Sequence, residues 1–437
     1  MHSRTVKNAA WIIGCRLVQA VIGLAVTMIS ARYLGPSGYG LINYAASLVT
    51  FFVPIMQLGL NSTLVQEILN KPEQEGETMG TALVLTFVSG IACVIGVGAF
   101  SAFANQGETQ TIFVCVLYSL LLLAQSLEMI QYWFQAKLLS KYTALTVLAA
   151  YIAISIYRIT LLVAGKSIYW YEVSQAIDYE IIAIALMFIY NRLPTQKLRF
   201  SLTRANEIFG RSKHYIISAM MITVFAQTDR VMLKIMIDEA AVGYYSAAIT
   251  CAGLSSFVFV AIIDSARPTI LNGKKKSDEV FQYRLKLLFT LVIGLALLQS
   301  AAFTILSNLV IGILYGSAYA PSVSALRIVV WYTTFSYLGA VRDIWILAEN
   351  KQKYLWIINL SGASVYICLN AFMIPVYGIN GAAAASLITQ IFTNVMMGFI
   401  LKPIRPCNRL MLQSLNVRLF FVQVKELRKR NGKYGKL

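Results

Sequence analysis

The stretch RYLGPSGYGLINYAAS, residues 32–47, is a corner rich in glycine and tyrosine that joins two long apolar segments. A related stretch, IDEAAVGYYSAAIT at residues 237–250, again places a Gly-Tyr pair between an apolar segment and a run of small residues. Gly38-Tyr39 corresponds to Gly243-Tyr244. Internal repetition of this kind indicates a chain built from two related halves.

The composition is that of a membrane protein. Of the 437 residues, 58% are hydrophobic and only 13% are charged, whereas soluble domains are about half apolar and about a quarter charged. About 20 apolar residues cross a bilayer as one helix. We therefore predict an all-α polytopic membrane protein with about twelve transmembrane helices. The predicted spans are 9–31, 42–66, 79–101, 110–136, 143–163, 171–191, 214–236, 242–264, 285–308, 323–347, 354–375 and 381–401.

The basic residues predict the topology, because cytoplasmic loops are rich in Lys and Arg. We place both termini in the cytoplasm and count twelve spans. Of the 37 basic residues, only Arg32 and Lys166 then fall in outward loops. The net charge of +18 therefore marks the cytoplasmic face, which meets anionic lipid headgroups, and does not indicate nucleic acid binding.

The inward segment RLPTQKLRFSLTRANEIFGRSK, residues 192–213, divides the spans into six and six. We predict an N-terminal lobe at 1–191, a C-terminal lobe at 214–401 and a basic cytoplasmic tail at 402–437. Two repeats with an even number of spans are related by a pseudo-twofold axis along the membrane normal. The tail mixes apolar and basic residues, so it is either solvated or lies on the membrane surface.

Motifs of enzymes are absent from the sequence. It contains no Gly-rich phosphate loop, no zinc-ligand cluster and no nucleophile elbow, and its histidines are His2 and His214. The six cysteines have no metal-binding or redox spacing. We therefore expect no enzymatic activity, no cofactor and no bound metal.

Polar residues recur at helical spacing within the spans. Because a charge at the bilayer centre costs about 2.5–3.5 kcal/mol, such residues are expected to face the bundle interior or a wet cavity. The alternative is that these side chains form hydrogen bonds between helices and have a purely structural role. The four stripes are Arg16, Gln19, Gly23, Thr27 and Ser30; Asn43, Ser47, Thr50, Pro54, Gln57 and Asn61; Gln125, Glu128, Tyr132 and Gln135; and Thr223, Gln227, Arg230 and Lys234.

The first helices of the two halves both carry basic stripes, which predicts a central cationic cavity. Arg16, Arg230 and Lys234 are the candidate ligands of an anionic substrate group, since guanidinium favours phosphate. Gln19, Asn61 and Gln227 are the candidate hydrogen-bonding residues of the cavity.

Other charged residues in the spans are expected to find partners. Asp229 is rotated by about 100° from Arg230 on the helix, so we expect it to meet a neighbouring helix or a coupling ion. We also expect Arg342 to pair with Asp343, Arg327 to extend toward the outer surface, and Asp178 and Glu180 to neutralise Arg158.

Several segments resemble the oligosaccharide flippases of the multidrug/oligosaccharidyl-lipid/polysaccharide exporter superfamily, which include O-antigen translocases. These segments are ARYLGPSGYG with FFVPIMQLGL, TDRVMLKIM with GYYSAA, and IPVYGINGAAAASLITQ, and the resemblance covers roughly residues 1–400. It implies two six-helix lobes that alternate in access. It also implies movement of a polyprenyl-diphosphate-linked oligosaccharide across the bacterial inner membrane. Asp229 is a candidate for ion coupling, with protons, sodium or neither as the coupled ion.

Two relatives within the superfamily are distinguishable. Multidrug antiporters typically carry an acidic residue in the first helix, where this chain has Arg16, and lipid II flippases usually have two more spans. The first hypothesis is therefore a flippase. The alternatives are a multidrug or small-solute antiporter and a membrane scaffold that serves the polysaccharide polymerase machinery without transport of its own.

Overall fold

A computed structural model describes residues 2–415, and the side chains of residues 2–13, 16 and 17 lie outside that description. The described chain is a succession of helices and short turns without a strand. The helices are α1 (His2–Met56), α2 (Leu64–Asn70), α3 (Glu75–Ala104), α4 (Thr109–Ser119), α5 (Leu121–Glu128), α6 (Gln131–Ala136), α7 (Ser140–Val163), α8 (Ile168–Arg192), α9 (Leu202–Met236), α10 (Glu239–Ala252), α11 (Ser256–Lys276), α12 (Asp278–Leu314), α13 (Ser322–Ala348), α14 (Leu355–Ile391), α15 (Met397–Ile400) and α16 (Arg405–Gln413).

Two of the long helices contain a sharp break at a glycine. Gly35 in α1 has φ 68° and ψ 177°, and Gly378 in α14 has φ 58° and ψ −135°. Only glycine adopts such left-handed backbone without steric cost. Each break lies between two predicted spans, one and two in α1 and eleven and twelve in α14, so each of these helices continues from one predicted span into the beginning of the next.

Eight of the described helical segments are long and apolar enough to cross a membrane, or nine if the bent pair α10–α11 counts as one span. An all-α polytopic membrane protein is therefore confirmed. The number twelve stays a prediction, because α1 and the segment Gln352–Ile400 are each counted once and α13 is not among the eight.

The helices turn large apolar side chains outward. On α3, Val88 is 59% exposed, Ile95 67% and Phe103 75%. In water such a surface would be unfavourable, whereas hydrocarbon accommodates it without cost. The same helix buries Thr78, Thr81, Thr86 and Ser101. This reversed distribution is what a lipid-exposed bundle with a polar interior requires.

The described chain forms two compact units, one ending at Gly243 and the other beginning at Tyr244. The sequence pattern predicts the boundary in the linker 192–213 instead. The difference arises because α9 packs against α1 and α3, so the structure groups it with the helices that precede it. The six-plus-six division by repeat remains a prediction.

The linker is held in the first unit by an ion cluster. Arg204, which is 3% exposed, contacts Glu67 at 3.2 Å and Glu207 at 2.5 Å, and Arg211 contacts Glu67 at 2.8 Å. Lys71 contacts Glu207 at 2.8 Å. Three cations and two carboxylates thereby attach the start of α9 to α2.

Each unit has its own apolar core. In the first unit, α2, α3, α6 and α8 bury a cluster around Trp133, Phe134 and Tyr190. In the second unit, α12 and α13 bury Phe281, Phe289 and Trp345. The short helix α16 belongs to that second core, since Cys407, Leu410 and Met411 are buried in it. The beginning of the predicted tail is thus packed on protein, and residues 416–437 lie outside the described residues.

The Gly-Tyr corners that suggested a repeat bring two backbones together. A Cβ atom added at Gly40 would overlap the carbonyl oxygen of Glu239, and one at Gly243 would overlap the carbonyl oxygen of Pro36. Glycine at both positions permits this contact between α1 and the start of α10, as small residues do at close helix crossings in membranes.

We expect Gly40→Ala to destabilise the protein by about 1–3 kcal/mol, because the new methyl group must displace backbone. Gly294→Ala on α12 is the matched control, since no atom lies within 4 Å of a Cβ there. Thermal unfolding of the two purified variants checks this expectation. Equal melting temperatures for the two variants would mean that the close approach is not present in the folded protein.

We expect Cys407 to resist thiol reagents. It is 1% exposed, and burial raises the pKa of its thiol to about 12, so the reactive thiolate is scarce near neutral pH. Maleimide labelling followed by peptide mass spectrometry should leave Cys407 unmodified until the protein is denatured. Leu415→Cys, at a position that is 53% exposed, should react rapidly in the native protein, and equal labelling of both would contradict the packing of α16.

Candidate functional site

The first unit contains a polar cavity of about 360 Å³. Its walls come from α1, α5, α6 and the start of α7. Most of its lining side chains carry hydrogen-bonding groups, and Glu128 is the ionisable carboxyl among them. The lining residues are Cys15, Gln19, Glu128, Gln131, Gln135, Ser140, Thr143, Ala144 and Val147.

The chemistry of this cavity suits a ligand with many hydroxyl groups. Three amide side chains supply both donors and acceptors, and two hydroxyl groups add further partners. The Oγ1 atom of Thr143 is buried without a hydrogen-bond partner among the described residues. Ligand cavities are usually mostly apolar, and this one is richer in polar groups than that norm.

The structure places Gln19 of the sequence-predicted site on this cavity. Arg16 lies one helical turn earlier on α1, and its side chain is outside the described residues. Glu128 and Gln135, which the sequence analysis grouped in one stripe, also line the cavity. Gln131, Ser140 and Thr143 were missed. Gln131 follows Glu128 by three residues, a spacing that could have found it, whereas the turn between α6 and α7 separates Ser140 and Thr143 from the stripe.

Arg230 and Gln227 are brought together on α9. The Nη1 atom of Arg230 donates to Oε1 of Gln227 at 2.8 Å, and Asp229 accepts from the backbone N–H of Arg230 at 2.8 Å. Asp229 is 4% exposed. Gln227 and Arg230 therefore share a face of α9, and the partner expected for Asp229 on a neighbouring helix or in a coupling ion stays a prediction.

Lys234 is buried and bound to carboxylates. Its Nζ atom contacts Oε2 of Glu108 at 2.6 Å and Oε2 of Glu239 at 3.3 Å, and its side chain is 4% exposed. The hydrogen bond from Lys234 holds the pKa of Glu108 below its ordinary value. Two carboxylates therefore balance the positive charge that the sequence analysis assigned to an anionic ligand.

Asn61 is not on the helical stripe to which the sequence analysis assigned it. Helix α1 ends at Met56, and Leu58 and Gly59 then adopt left-handed backbone with φ 53° and 71°. Asn61 lies in the 3-10 turn Leu60–Ser62 and accepts a hydrogen bond from Ser62 at 3.4 Å. The continuous helix predicted over 42–66 is wrong at this point, because two left-handed residues end it.

Of the other charged residues in spans, Arg342 is paired as predicted. Its Nη2 atom contacts Asp343 at 3.1 Å, and its Nη1 atom donates to the carbonyl oxygen of Thr393 at 2.7 Å, within the π-helical turn Phe392–Met396. Arg327 donates to Oγ of Ser307 at 2.8 Å.

Arg158 is not neutralised as the sequence analysis expected. Glu180 is exposed, and within the described part of the chain neither it nor Asp178 lies within ion-pair distance of Arg158. The expectation is therefore wrong for Glu180. Asp178 lies within electrostatic range of Arg158 without direct contact.

The second unit has a basic cavity of about 450 Å³ beside α11, lined by Asn272, Lys274 and Lys275 among others. Lys274 also contacts Asp278 and Glu349, each at 2.6 Å. Its charge is thus already balanced, and the cavity has less to offer an anion than its lysines suggest.

Comparison with known proteins places the chain in a family. A family model described as "Polysaccharide biosynthesis protein" matches residues 5–274, more than half of the sequence. This chain belongs to that family. A similar curated protein is a putative O-antigen transporter from Shigella flexneri, which is 21% identical over 414 residues, covering 90% of this chain and 97% of that one.

Solved structures share the fold. The lipid II flippase MurJ in an inward closed conformation matches with a TM-score of 0.73 at 16% identity, over 95% of this chain and 92% of that one. An inward-facing multidrug resistance MATE transporter of the MOP superfamily matches with a TM-score of 0.66 at 12% identity, over 91% and 96%. The protein therefore has the fold of the transporters of this superfamily.

We expect Glu108→Gln to lower the free energy of unfolding by about 1 kcal/mol at neutral pH, since Glu108 is half exposed and water screens the pair. The lowered pKa of Glu108 sets the sign of the pH dependence. The stabilisation is complete above the ordinary glutamate pKa of about 4.3 and is lost as the pH falls through the folded-state value. Unfolding measured in detergent between acid and neutral pH checks this.

The exposed carboxylate Glu73 provides the control, because Glu73→Gln should show no such difference from the wild type. The double variant Glu108→Gln/Lys234→Met should recover part of the stability, since it removes the buried charge as well. A wild-type minus Glu108→Gln difference that stays constant with pH would contradict the ion pair.

Proposed function

We propose that this protein is a flippase that moves a polyprenyl-diphosphate-linked oligosaccharide from the cytoplasmic to the outer leaflet of the bacterial inner membrane. Membership of the polysaccharide biosynthesis family and similarity to a putative O-antigen transporter support the class of cargo. The shared fold with a lipid II flippase supports the transport of a large lipid-linked molecule. The protein would act as a transporter and not as an enzyme.

The observation that carries the proposal is the polar cavity inside the first unit. Gln19, Gln131 and Gln135 would bond sugar hydroxyl groups, each amide offering a donor and an acceptor. A cavity of about 360 Å³ is within the usual range of about 300–1,000 Å³ for ligand sites. The lipid tail would remain in the bilayer while the oligosaccharide passes along this polar surface.

The anionic diphosphate would bind to Arg16, Arg230 and Lys234. Arg230 and Gln227 already form a hydrogen-bonded pair at 2.8 Å, so the two side chains would contact the same ligand. Lys234 would take part by exchanging a carboxylate for the diphosphate, because Glu108 and Glu239 occupy it in this structure. Asn61 would add a hydrogen bond from its turn.

The cycle would alternate between inward-open and outward-open states, with both termini in the cytoplasm. The two lobes that the repeat predicts, 1–191 and 214–401 with the linker 192–213 between them, would rock about the pseudo-twofold axis. Protons or sodium would supply the driving force, with Asp229 as a coupling residue. The polymerase machinery would receive the cargo on the outer side.

A multidrug antiporter is the second candidate, and Glu128 is the observation that favours it, because a carboxyl group in the cavity suits an organic cation. A flippase predicts binding of lipid-linked oligosaccharide, whereas an antiporter predicts dye efflux in vesicles. A scaffold without transport predicts that substitutions in the cavity are tolerated while surface substitutions are not.

The test is made in a host from which this gene is deleted and in which no other flippase compensates. Cells whose outer envelope has been made permeable, with the inner membrane left sealed, are treated with a membrane-impermeant probe. The polyprenyl-linked intermediates are then extracted. We expect complete repeat units to accumulate in the cytoplasmic leaflet and the wild-type gene to restore outward delivery. Normal delivery in the deletion strain would rule out the flippase proposal.

We expect Gln131→Leu/Gln135→Leu to reduce outward delivery about tenfold, since two hydrogen bonds of about 0.5–1.5 kcal/mol each are lost. Arg230→Gln should give a comparable loss through the diphosphate. The control is Gln110→Leu, because Gln110 is exposed at the first turn of α4 and lies away from the cavity. Full delivery by well-expressed cavity variants would show that this cavity does not contact the cargo.

A further inference from the structure

Helix α16 at the end of the second unit has two faces of opposite character. One face is buried in the core of that unit through Leu410 and Met411, which are 7% and 4% exposed. On the other side, Arg405, Arg409 and Leu412 follow one another at spacings of four and three residues, so they share one face of the helix. All three of these side chains are exposed.

The buried face holds α16 in a defined position on the second unit. Asn408 is 1% exposed, and its Nδ2 atom donates to the carbonyl oxygen of Val395 at 2.6 Å. A Cβ atom added at Gly398 would lie 2.2 Å from Oδ1 of Asn408, so the helix packs directly on the backbone of α15. Lys351 donates to the carbonyl oxygen of Pro403 at 2.7 Å, just before α16 begins. The exposed face is therefore fixed relative to the neighbouring span.

That exposed face begins at the edge of the apolar surface of the last span. The segment Gln352–Ile400 is apolar enough to cross a membrane, and it ends two residues before Lys402. In its last turn, Phe399 is 42% exposed and Ile400 57%. The Nε atom of Arg405 donates to the carbonyl oxygen of Phe399 at 2.7 Å, which places the guanidinium group against this turn. A cation at the end of a lipid-exposed span lies at the depth of the lipid headgroups.

The charge around α16 is of one sign. The sequence from 351 to 415 contains five basic residues and neither aspartate nor glutamate. In the described part of the second unit, the carboxylates that form ion pairs do so with other cations, and Lys402, Arg405 and Arg409 form none. These three exposed cations are therefore available to an anion from outside the protein.

We propose that the α16 face, formed by Lys402, Arg405, Arg409, Leu412 and Leu415, binds the phosphate headgroups of anionic phospholipid. A guanidinium group donates two parallel hydrogen bonds to phosphate. Leu412 and Leu415 are 44% and 53% exposed, and they enter the upper part of the acyl-chain region beside those headgroups. In the topology predicted from the loops, this end of the last span faces the cytoplasmic leaflet, which carries anionic lipid.

A membrane fits this face better than another macromolecule does. A nucleic acid or an acidic protein would match the charge, but it would leave Leu412 and Leu415 without an apolar partner. The face is also continuous with Phe399 and Ile400, which hydrocarbon covers. This inference is independent of the transport proposed above, because it concerns contact with bilayer lipid alone.

The proposal differs from the general attraction between cytoplasmic cations and anionic lipid, because it assigns selective binding to one face. The linker 192–213 provides a matched comparison on the same side of the predicted topology. Its residues Lys197, Arg199 and Lys213 are exposed cations as well. A general attraction treats the two sets of three cations equally, whereas a site on α16 depends on one of them.

The experiment measures which lipid lies next to α16 in the purified full-length protein. A neutral fluorophore that bromine quenches is attached at Gln413→Cys, an exposed position of α16, in a Cys368→Ser background that lacks the exposed native cysteine. The protein is placed in nanodiscs with equal amounts of phosphatidylglycerol and phosphatidylcholine. In one sample the phosphatidylglycerol has brominated acyl chains, and in the other the phosphatidylcholine has them.

We expect quenching that corresponds to at least about a fivefold preference for phosphatidylglycerol, since one basic residue near an anionic surface contributes about that factor. Lys402→Gln/Arg405→Gln/Arg409→Gln should bring the preference close to unity. The control Lys197→Gln/Arg199→Gln/Lys213→Gln removes the same charge and should keep the preference. High salt should weaken it in the wild type, because the contacts are exposed to solvent.

Equal quenching by the two lipids in the wild type would overturn the proposal, as would a preference that survives in the α16 variant. An equal loss in the control variant would also overturn it, because general charge attraction would then explain the preference. Removal of the preference by inorganic phosphate at constant ionic strength would show a site for free anions instead of headgroups. If the α16 variant does not fold, the preference of the wild type and its salt dependence still decide.

Discussion

A charged side chain inside hydrocarbon costs about 2.5–3.5 kcal/mol by insertion scales, and this constraint organises the interior of the protein. Lys234 is paired with two carboxylates, and Arg342 is paired with Asp343 and donates to a carbonyl oxygen of a π-helical turn. Outside the predicted spans, Arg204 and its neighbours form an ion cluster at the start of α9 that attaches the linker to the first unit. Glu172 is the contrasting case, since it is fully buried and both of its carboxyl oxygens lack a hydrogen-bond partner among the described residues.

The cost of burying charge in the membrane distinguishes charged side chains from neutral polar ones. Strongly charged groups on the inside of spans are mostly paired, so they contribute to the stability of the bundle before they contribute to binding. The cavity of the first unit is lined instead by amides and hydroxyl groups, which are cheaper to bury and can bond sugars without a fixed counterion. A cargo with a neutral or weakly charged oligosaccharide and a diphosphate at one end fits this arrangement, since a few cations suffice for the diphosphate.

Sequence patterns predicted the structural features that are determined within one segment of the chain. Apolar windows gave a helical membrane protein, and the breaks at Gly35 and Gly378 fall between predicted spans, because only glycine tolerates that backbone. Spacing predicts which residues share a face, and Arg230 and Gln227 do meet. It cannot predict which helix faces them, so the pairing of Lys234 with Glu108, 126 positions away, was missed. Asn61 was misplaced because Leu58 adopts left-handed backbone and ends the helix. A leucine in the sequence does not predict such a backbone conformation.

The central claim is that this chain alone moves a lipid-linked oligosaccharide between leaflets. The most direct measurement uses purified wild-type protein in sealed proteoliposomes that contain a labelled polyprenyl-diphosphate oligosaccharide, with an external glycosidase as the probe. The account predicts that protein-containing vesicles expose their inner-leaflet substrate to the enzyme far faster than protein-free vesicles do, and that Gln131→Leu/Gln135→Leu slows this exposure. Identical digestion with and without protein, in vesicles that hold the host's own lipid-linked repeat unit, would contradict it.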